Sequence, residues 1–131
     1  MPHKRPEEIQ PNGRWDAIPD WKAEDWGAFT VAFTETGPAD FTYVYQTLPD
    51  GLCPCPHYMY LFEGRMRATY PGSDKPDDVV EAGEVCFITE GHILIYEEET
   101  KALEFNPKTE LGVLMDAVNE VARQIPPPAG Q

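Results

Sequence analysis

The stretch Glu81-Ala82-Gly83-Glu84-Val85-Cys86-Phe87-Ile88-Thr89-Glu90-Gly91-His92 carries a short β-branched and aromatic run, Glu84 to Thr89, between two glycine turns, Ala82-Gly83 and Glu90-Gly91. A run that short between turn signals suits a strand, since a helix needs a longer uninterrupted stretch. The same grammar repeats outward in both directions. Ala28 to Glu35 reads as a strand, Thr36-Gly37-Pro38 as a turn, and Phe41 to Leu48 as a strand alternating Phe41, Tyr43, Tyr45 against Thr42, Val44, Gln46. Pro49-Asp50-Gly51 is a turn before Cys53 to Phe62, and Glu63-Gly64 a tight turn before Arg65 to Tyr70. Pro71 to Pro76 is a loop, followed by strands at Asp78 to Glu81, Glu84 to Thr89, His92 to Glu97 and Lys101 to Phe105. Strands recurring every 8 to 12 residues or so, separated by turn signals, imply an all-β sandwich or barrel.

The period changes once, after Asn106-Pro107. Leu111, Leu114, Met115, Val118, Val121, Ala122 and Ile125 recur at helical spacing, with Asp116, Asn119, Glu120 and Arg123 opposite. This predicts one amphipathic helix over 108–125, capped by Thr109 and stopped by Pro126-Pro127-Pro128, that packs on the barrel or on a partner subunit. At the other end, residues 1–26 read as an extended N-terminal arm, because Pro2, Pro6, Pro11 and Pro19 break any period. Trp15, Trp21 and Trp26 are its large anchors, and the arm is expected to cover a sheet or a neighbouring subunit. The barrel then occupies 27–107.

The chain has 131 residues, enough for one domain with a sizeable core. Its formal charge of −13 repels a phosphate backbone and an anionic membrane alike, so neither nucleic acid nor membrane is an expected partner. The acidic clusters Glu7-Glu8, Asp74 to Glu81 and Glu97-Glu98-Glu99 read as solvated loops. No stretch approaches the roughly 18 apolar residues of a membrane span, and the first residues lack the apolar core of a signal peptide. A cytoplasmic location is expected. The three cysteines fit this: Cys53 and Cys55 sit about 7 Å apart on an extended chain, too far to bridge comfortably, so reduced thiols are expected.

The chemistry concentrates in Cys53-Pro54-Cys55-Pro56-His57. The two prolines hold the segment extended, and alternate side chains of an extended segment share a face, so Cys53, Cys55 and His57 point the same way. Thiolate and neutral imidazole are the ligands zinc prefers.

Three segments resemble the cupin superfamily, in particular its small single-domain members: Cys53 to Arg67, Glu81 to His92, and Leu103-Glu104-Phe105-Asn106-Pro107. The second is similar to the second cupin motif, with Gly83 and Gly91 in place and Thr89 where proline is usual. For the first motif, taking Gly64 as its closing glycine puts His57 at the glutamate position, Cys53 at the second histidine and Gly51 at the first. Taking Gly51 as the opening glycine instead puts His57 and Met59 at the two histidine positions. The Glu63-Gly64 reversal favours the former. In the second motif the family's histidine would fall at Leu94 and its later asparagine at Glu98, and neither matches. His92 shares the strand parity of Leu94 and faces the same side.

The resemblance implies a cupin-type β-sandwich or jelly-roll barrel, a homodimer, and an organic small molecule held inside the barrel. The usual three-histidine, one-glutamate set is absent. A rearranged metal site from His57, His92 and one or both of Cys53 and Cys55 takes its place as the expectation. Zinc ranks ahead of iron(II), for which Glu63 and Glu104 are the carboxylates at hand. Tyr43, Tyr45 and Met59 are read as facing the small-molecule ligand, and Cys86 as core. Two functions stay open: a metal-dependent enzyme with His57 and His92 as ligands, and a metal-free cupin that binds a small molecule or serves as a non-catalytic accessory protein.

Overall fold

Side chains alternate between buried and exposed along His57–Tyr60, and between buried and less buried along Thr100–Pro107, in the computed structural model, which describes residues 3–11 and 21–124. That alternation is the signature of strands with one face on a core. Among the described residues the strands are β1 (Lys22–Trp26), β2 (Phe29–Thr36), β3 (Ala39–Asp40), β4 (His57–Glu63), β5 (Arg65–Thr69), β6 (Asp78–Glu81), β7 (Val85–Ile88), β8 (Ile93–Tyr96) and β9 (Thr100–Pro107). One helix, α1 (Lys108–Gln124), follows directly.

The strands form two antiparallel sheets, ordered β1-β2-β9-β4-β7 and β3-β8-β5-β6. From β2 to β9 the strands alternate between the sheets except at the β5–β6 hairpin, which stays in the four-stranded one, and chain-distant β2 and β9 lie side by side. This is the two-sheet jelly roll. The fold expected from the resemblance, a β-sandwich with one C-terminal helix, is the one observed.

Between the sheets, Met59, Leu61, Met66, Ala68, Val80, Ile88, Leu94 and Tyr96 form one buried cluster. A second cluster closes one end of the sandwich: Leu111, Leu114, Met115 and Val118 of α1 pack against Tyr45, Leu48, Cys53 and Cys55. Burying each such leucine is worth about 1.5–3 kcal/mol, which holds the helix across that end. Ile125, placed in the apolar stripe by its period, lies outside the described residues, as does Trp15. Thr109 is the second helical residue rather than the cap, because the helix starts directly from β9 at Lys108, whose N–H donates to the Ala28 carbonyl (2.9 Å).

Two further elements differ from their sequence reading. Phe41 to Leu48 is a run of turns, not a strand. Asp40 Oδ1 accepts from the Thr42 N–H (2.8 Å), and the N–H groups of Val44 and Tyr45 turn back to the Phe41 carbonyl (3.0 and 3.2 Å). Leu48 then donates to Tyr45 (2.9 Å). Phe41, Val44, Tyr45 and Leu48 share helical spacing, so the segment buries a helical stripe, and the aromatic alternation also present in it goes unused. Lys22–Trp26, read as the end of the arm, is an edge strand paired with β2.

Candidate metal centre

The segment from Cys53 to Pro56 leads into β4 and bends so that Cys53 and His57 meet while Cys55 turns away, unlike the shared face expected of an extended run; its backbone is fastened at Cys53 to the start of the other sheet. The Cys53 N–H donates to the His92 carbonyl (3.0 Å) and the Gly91 N–H to the Cys53 carbonyl (2.8 Å). This bridge sets Cys53 opposite His92. His57, four residues on, opens β4 with its side chain inward. One ligand atom from each of Cys53, His57 and His92 lies within 4.8 Å of the others, and all three residues are buried. The His57 and His92 rings meet edge to face, centroids 4.9 Å apart.

Hydrogen bonds decide which nitrogen each imidazole offers. His92 Nδ1 lies 2.6 Å from the Thr89 carbonyl oxygen, which can only accept, so Nδ1 carries the proton and Nε2 a lone pair. His57 Nδ1 lies 2.6 Å from Asn106 Oδ1. The Asn106 amide is oriented by its own donor, since Nδ2 reaches Glu104 Oε1 at 3.3 Å, so its oxygen faces the histidine. His57 Nε2 therefore also carries a lone pair, 3.7 Å from Cys53 Sγ. His92 Nε2 is buried with no hydrogen-bond partner among the described residues. An orphaned acceptor in a fully enclosed imidazole is costly unless something binds it.

Burial, with the His57 ring beside it, pushes His92 down to about 3, so it is a neutral imidazole near pH 7. Burial also pushes the Cys53 thiol up to about 12. Without a cation the sulfur is a thiol, with the Cys55 carbonyl (3.6 Å) and His57 Nε2 (3.7 Å) both within reach as acceptors. Two lone pairs and one ionisable thiol thus converge, each imidazole fixed through its far nitrogen. That is the outer-shell pattern of a metal-binding histidine.

Cys55 is buried, but its sulfur is outside this group: it packs in the helix cluster and lies 3.3 Å from the Pro56 carbonyl. Cys86 is partly buried beside the first core cluster. Of the two carboxylates considered for iron, Glu104 lies near the site, its Oε1 3.8 Å from His57 Nδ1, while Glu63 is exposed and pairs with Lys101.

A cavity of about 700 Å³ lies beside the cluster, between the end of the sandwich and α1. His57, Glu104 and Asn106 supply its buried polar wall; Phe33, Phe41, Tyr45, Leu94 and Leu111 contribute apolar surface. Tyr45 is therefore at the cavity, whereas Met59 is in the first core cluster and Tyr43 lies partly buried in the turn segment. Sequence reasoning did not single out Asn106 or the Thr89 carbonyl. The signal for Asn106 was its parity: it shares a face with Glu104 on β9, next to the strand that carries His57.

No protein-family model matches the chain, and no curated protein does. Solved structures do. A protein of unknown function from Rhizobium leguminosarum is 13% identical over 81% of this chain and 94% of its own, with a TM-score of 0.50. A cupin-2 domain protein from Shewanella frigidimarina is 13% identical over 66% of this chain and 78% of its own, TM-score 0.45. Fe(II)-HppE with an alternative substrate is 12% identical over 81% of this chain and 60% of its own, TM-score 0.47. At such identities the likeness concerns the fold.

Proposed function

We propose that this chain is a small metalloenzyme whose divalent metal is held by Cys53 Sγ, His57 Nε2 and His92 Nε2, acting on an organic molecule in the adjoining cavity. The single observation that carries the reading is the buried, unpartnered His92 Nε2 beside a second imidazole lone pair and a thiol. Soft sulfur with two imidazoles suits zinc, which takes three protein ligands and keeps one position open in catalytic sites. When bound, the metal would supply Lewis-acid polarisation or an acidified water.

The chain's own groups do the rest. Asn106 and Thr89 hold the imidazoles in the tautomers that present Nε2. The apolar cavity wall excludes water from a bound molecule, and Tyr45 offers it a ring face. Glu104, buried and reaching the cavity, is placed to accept a proton or a hydrogen bond from the ligand.

A second reading has its own observation: His57, Glu104 and Asn106 line the cavity, while Cys53 and His92 do not. Those three groups would suffice for a metal-free binding protein. Metal analysis of protein purified without chelator, followed by zinc and iron(II) titration of stripped protein, separates the two. One equivalent of metal lost in Cys53→Ala and in His92→Ala supports the enzyme reading. Substoichiometric metal of every kind, unchanged by His57→Ala, leaves the metal-free reading standing.

A further inference from the structure

The buried polar wall of the cavity is short of hydrogen-bond donors. His57 is engaged on both sides, Nδ1 with Asn106 Oδ1 and Nε2 with the neighbourhood of Cys53 Sγ. Asn106 is tied in turn to His57 and to Glu104 Oε1 (3.3 Å). Glu104 Oε2 is left over. It takes no hydrogen bond among the described residues, although Glu104 is only 8% exposed. A carboxylate oxygen withdrawn from water without a donor is costly, and a charged donor satisfies it best. No lysine or arginine among the described residues does so: Lys22, the one basic residue at the cavity, keeps its ammonium over the Phe33 ring, 5.8 Å from the centroid.

The rings beside this carboxylate suit the same kind of ligand. Phe41 meets Tyr45 edge to face, centroids 6.1 Å apart, and Tyr96 at a tilt, 5.1 Å apart, and all three line the cavity. Burial, with a contribution from the charge of Glu104, pushes both tyrosine hydroxyls well above the ordinary phenol range, so carboxylate and rings share one enclosed space. Ring faces attract a cation there more strongly than they would in water.

We propose that the cavity takes an organic ammonium ion, with its amine held by Glu104 Oε2 and its apolar body lying along Phe41, Tyr45 and Tyr96. The inference rests on the reading above that this cavity is the ligand site, and it does not require the metal. An ammonium brings the missing donor and the opposite charge together. An anionic group would face Glu104 with no cation to offset it, and the net charge of −13 draws cations toward the molecule and turns anions away. A zinc ion with Cys53 as thiolate would add one positive charge beside the cavity. The preference for an amine is therefore greatest in metal-stripped protein and persists, reduced, in the loaded form.

Three probes of one shape test this: 3-phenylpropylamine, 3-phenylpropan-1-ol and 3-phenylpropionate, which are cationic, neutral and anionic at pH 7. Each is titrated into the isotope-labelled full chain, stripped and zinc-loaded, and followed by the NMR shifts of amides around the cavity. In stripped protein the amine should bind about tenfold or more tighter than the alcohol, with the carboxylate weakest. Glu104→Gln keeps the size of the side chain and an acceptor for Asn106, and should bring the amine down to the level of the alcohol with the alcohol little changed. If that variant fails to fold, the ranking in the wild type decides alone. Equal affinity for amine and alcohol, tighter binding of the carboxylate, an amine preference present only with zinc bound, or no binding of any probe would each overturn the inference. The metalloenzyme reading fails separately, on metal content: a chain that takes up neither zinc nor iron(II) and still prefers the amine would sink that reading and support this one.

Discussion

His57 Nδ1 stands 2.6 Å from Asn106 Oδ1, across adjacent strands of one sheet, and the amide nitrogen of Asn106 is turned to Glu104. The pair fixes which imidazole nitrogen faces Cys53. Replacing Asn106 with leucine keeps the size of the side chain and removes the acceptor. His57 can then take either tautomer, and zinc affinity should fall about 10- to 100-fold, as it does when outer-shell partners are lost. Competition against a chromophoric chelator measures this. An unchanged affinity in Asn106→Leu would mean that His57 does not bind metal through Nε2.

His92 gives the metal-free protein a pH signature. Its folded value, about 3, is depressed from 6.5. Between those limits the unfolded chain holds a proton there that the folded chain lacks. Stability is then complete above about 6.5 and falls as pH drops toward 3, by up to about 1.4 kcal/mol per pH unit. Urea midpoints between pH 7 and 5, where carboxylates remain mostly ionised, isolate this slope. It should flatten in His92→Gln. A wild-type midpoint independent of pH in that range would show that His92 is less enclosed than described here.

Much of this site was readable before the structure. Strand parity put Cys53 and His57 on one face, and parity with the family position at Leu94 put His92 on that position's face. What parity cannot tell is which strands are neighbours. The Cys53 to His92 bridge joins residues whose separation along the chain carries no signal, so Cys55 looked equivalent to Cys53. The backbone bridge keeps Cys53 over the imidazoles, and the chain between them delivers Cys55 to the helix cluster instead. Phe41 to Leu48 failed for another reason: it satisfies periods of two and of 3.6 at once, and only the Asp40 side chain capping Thr42 decides between them. Asp40 was the overlooked residue. A turn-forming acid before an ambiguous run marks the helical alternative.

The raised Cys53 thiol makes metal binding a proton-releasing event. With the sulfur protonated up to about pH 12 and both imidazoles offering Nε2 lone pairs, ligation should displace one proton, from Cys53. Zinc affinity should rise about tenfold per pH unit between pH 7 and 9, and calorimetry in buffers of different ionisation enthalpy should count one proton per zinc. Cys53→Ser should weaken binding and flatten that dependence. If the wild type releases no proton, sulfur is not a ligand, and the centre reduces to its two histidines.

Gly64 is the position where the sheet hairpin tolerates no side chain. Its φ is +93°, and an added Cβ would meet the Glu99 carbonyl and Thr100 Oγ1. Thr100 cannot retreat easily, because its hydroxyl donates to the Glu98 carbonyl (2.9 Å) and accepts from the Arg65 N–H (3.3 Å). Gly64→Ala must therefore bear both the left-handed backbone penalty and a displaced turn, together about 2 kcal/mol or more. Gly37→Ala provides the comparison, since nothing lies within 4 Å of its added Cβ and its φ is outside the left-handed range. Urea denaturation should show a large loss for Gly64→Ala and a change within about 0.5 kcal/mol for Gly37→Ala. Equal changes in the two variants would show that the β4–β5 turn does not constrain Gly64, since the unfolded-state effect of Gly→Ala is stabilising and common to both.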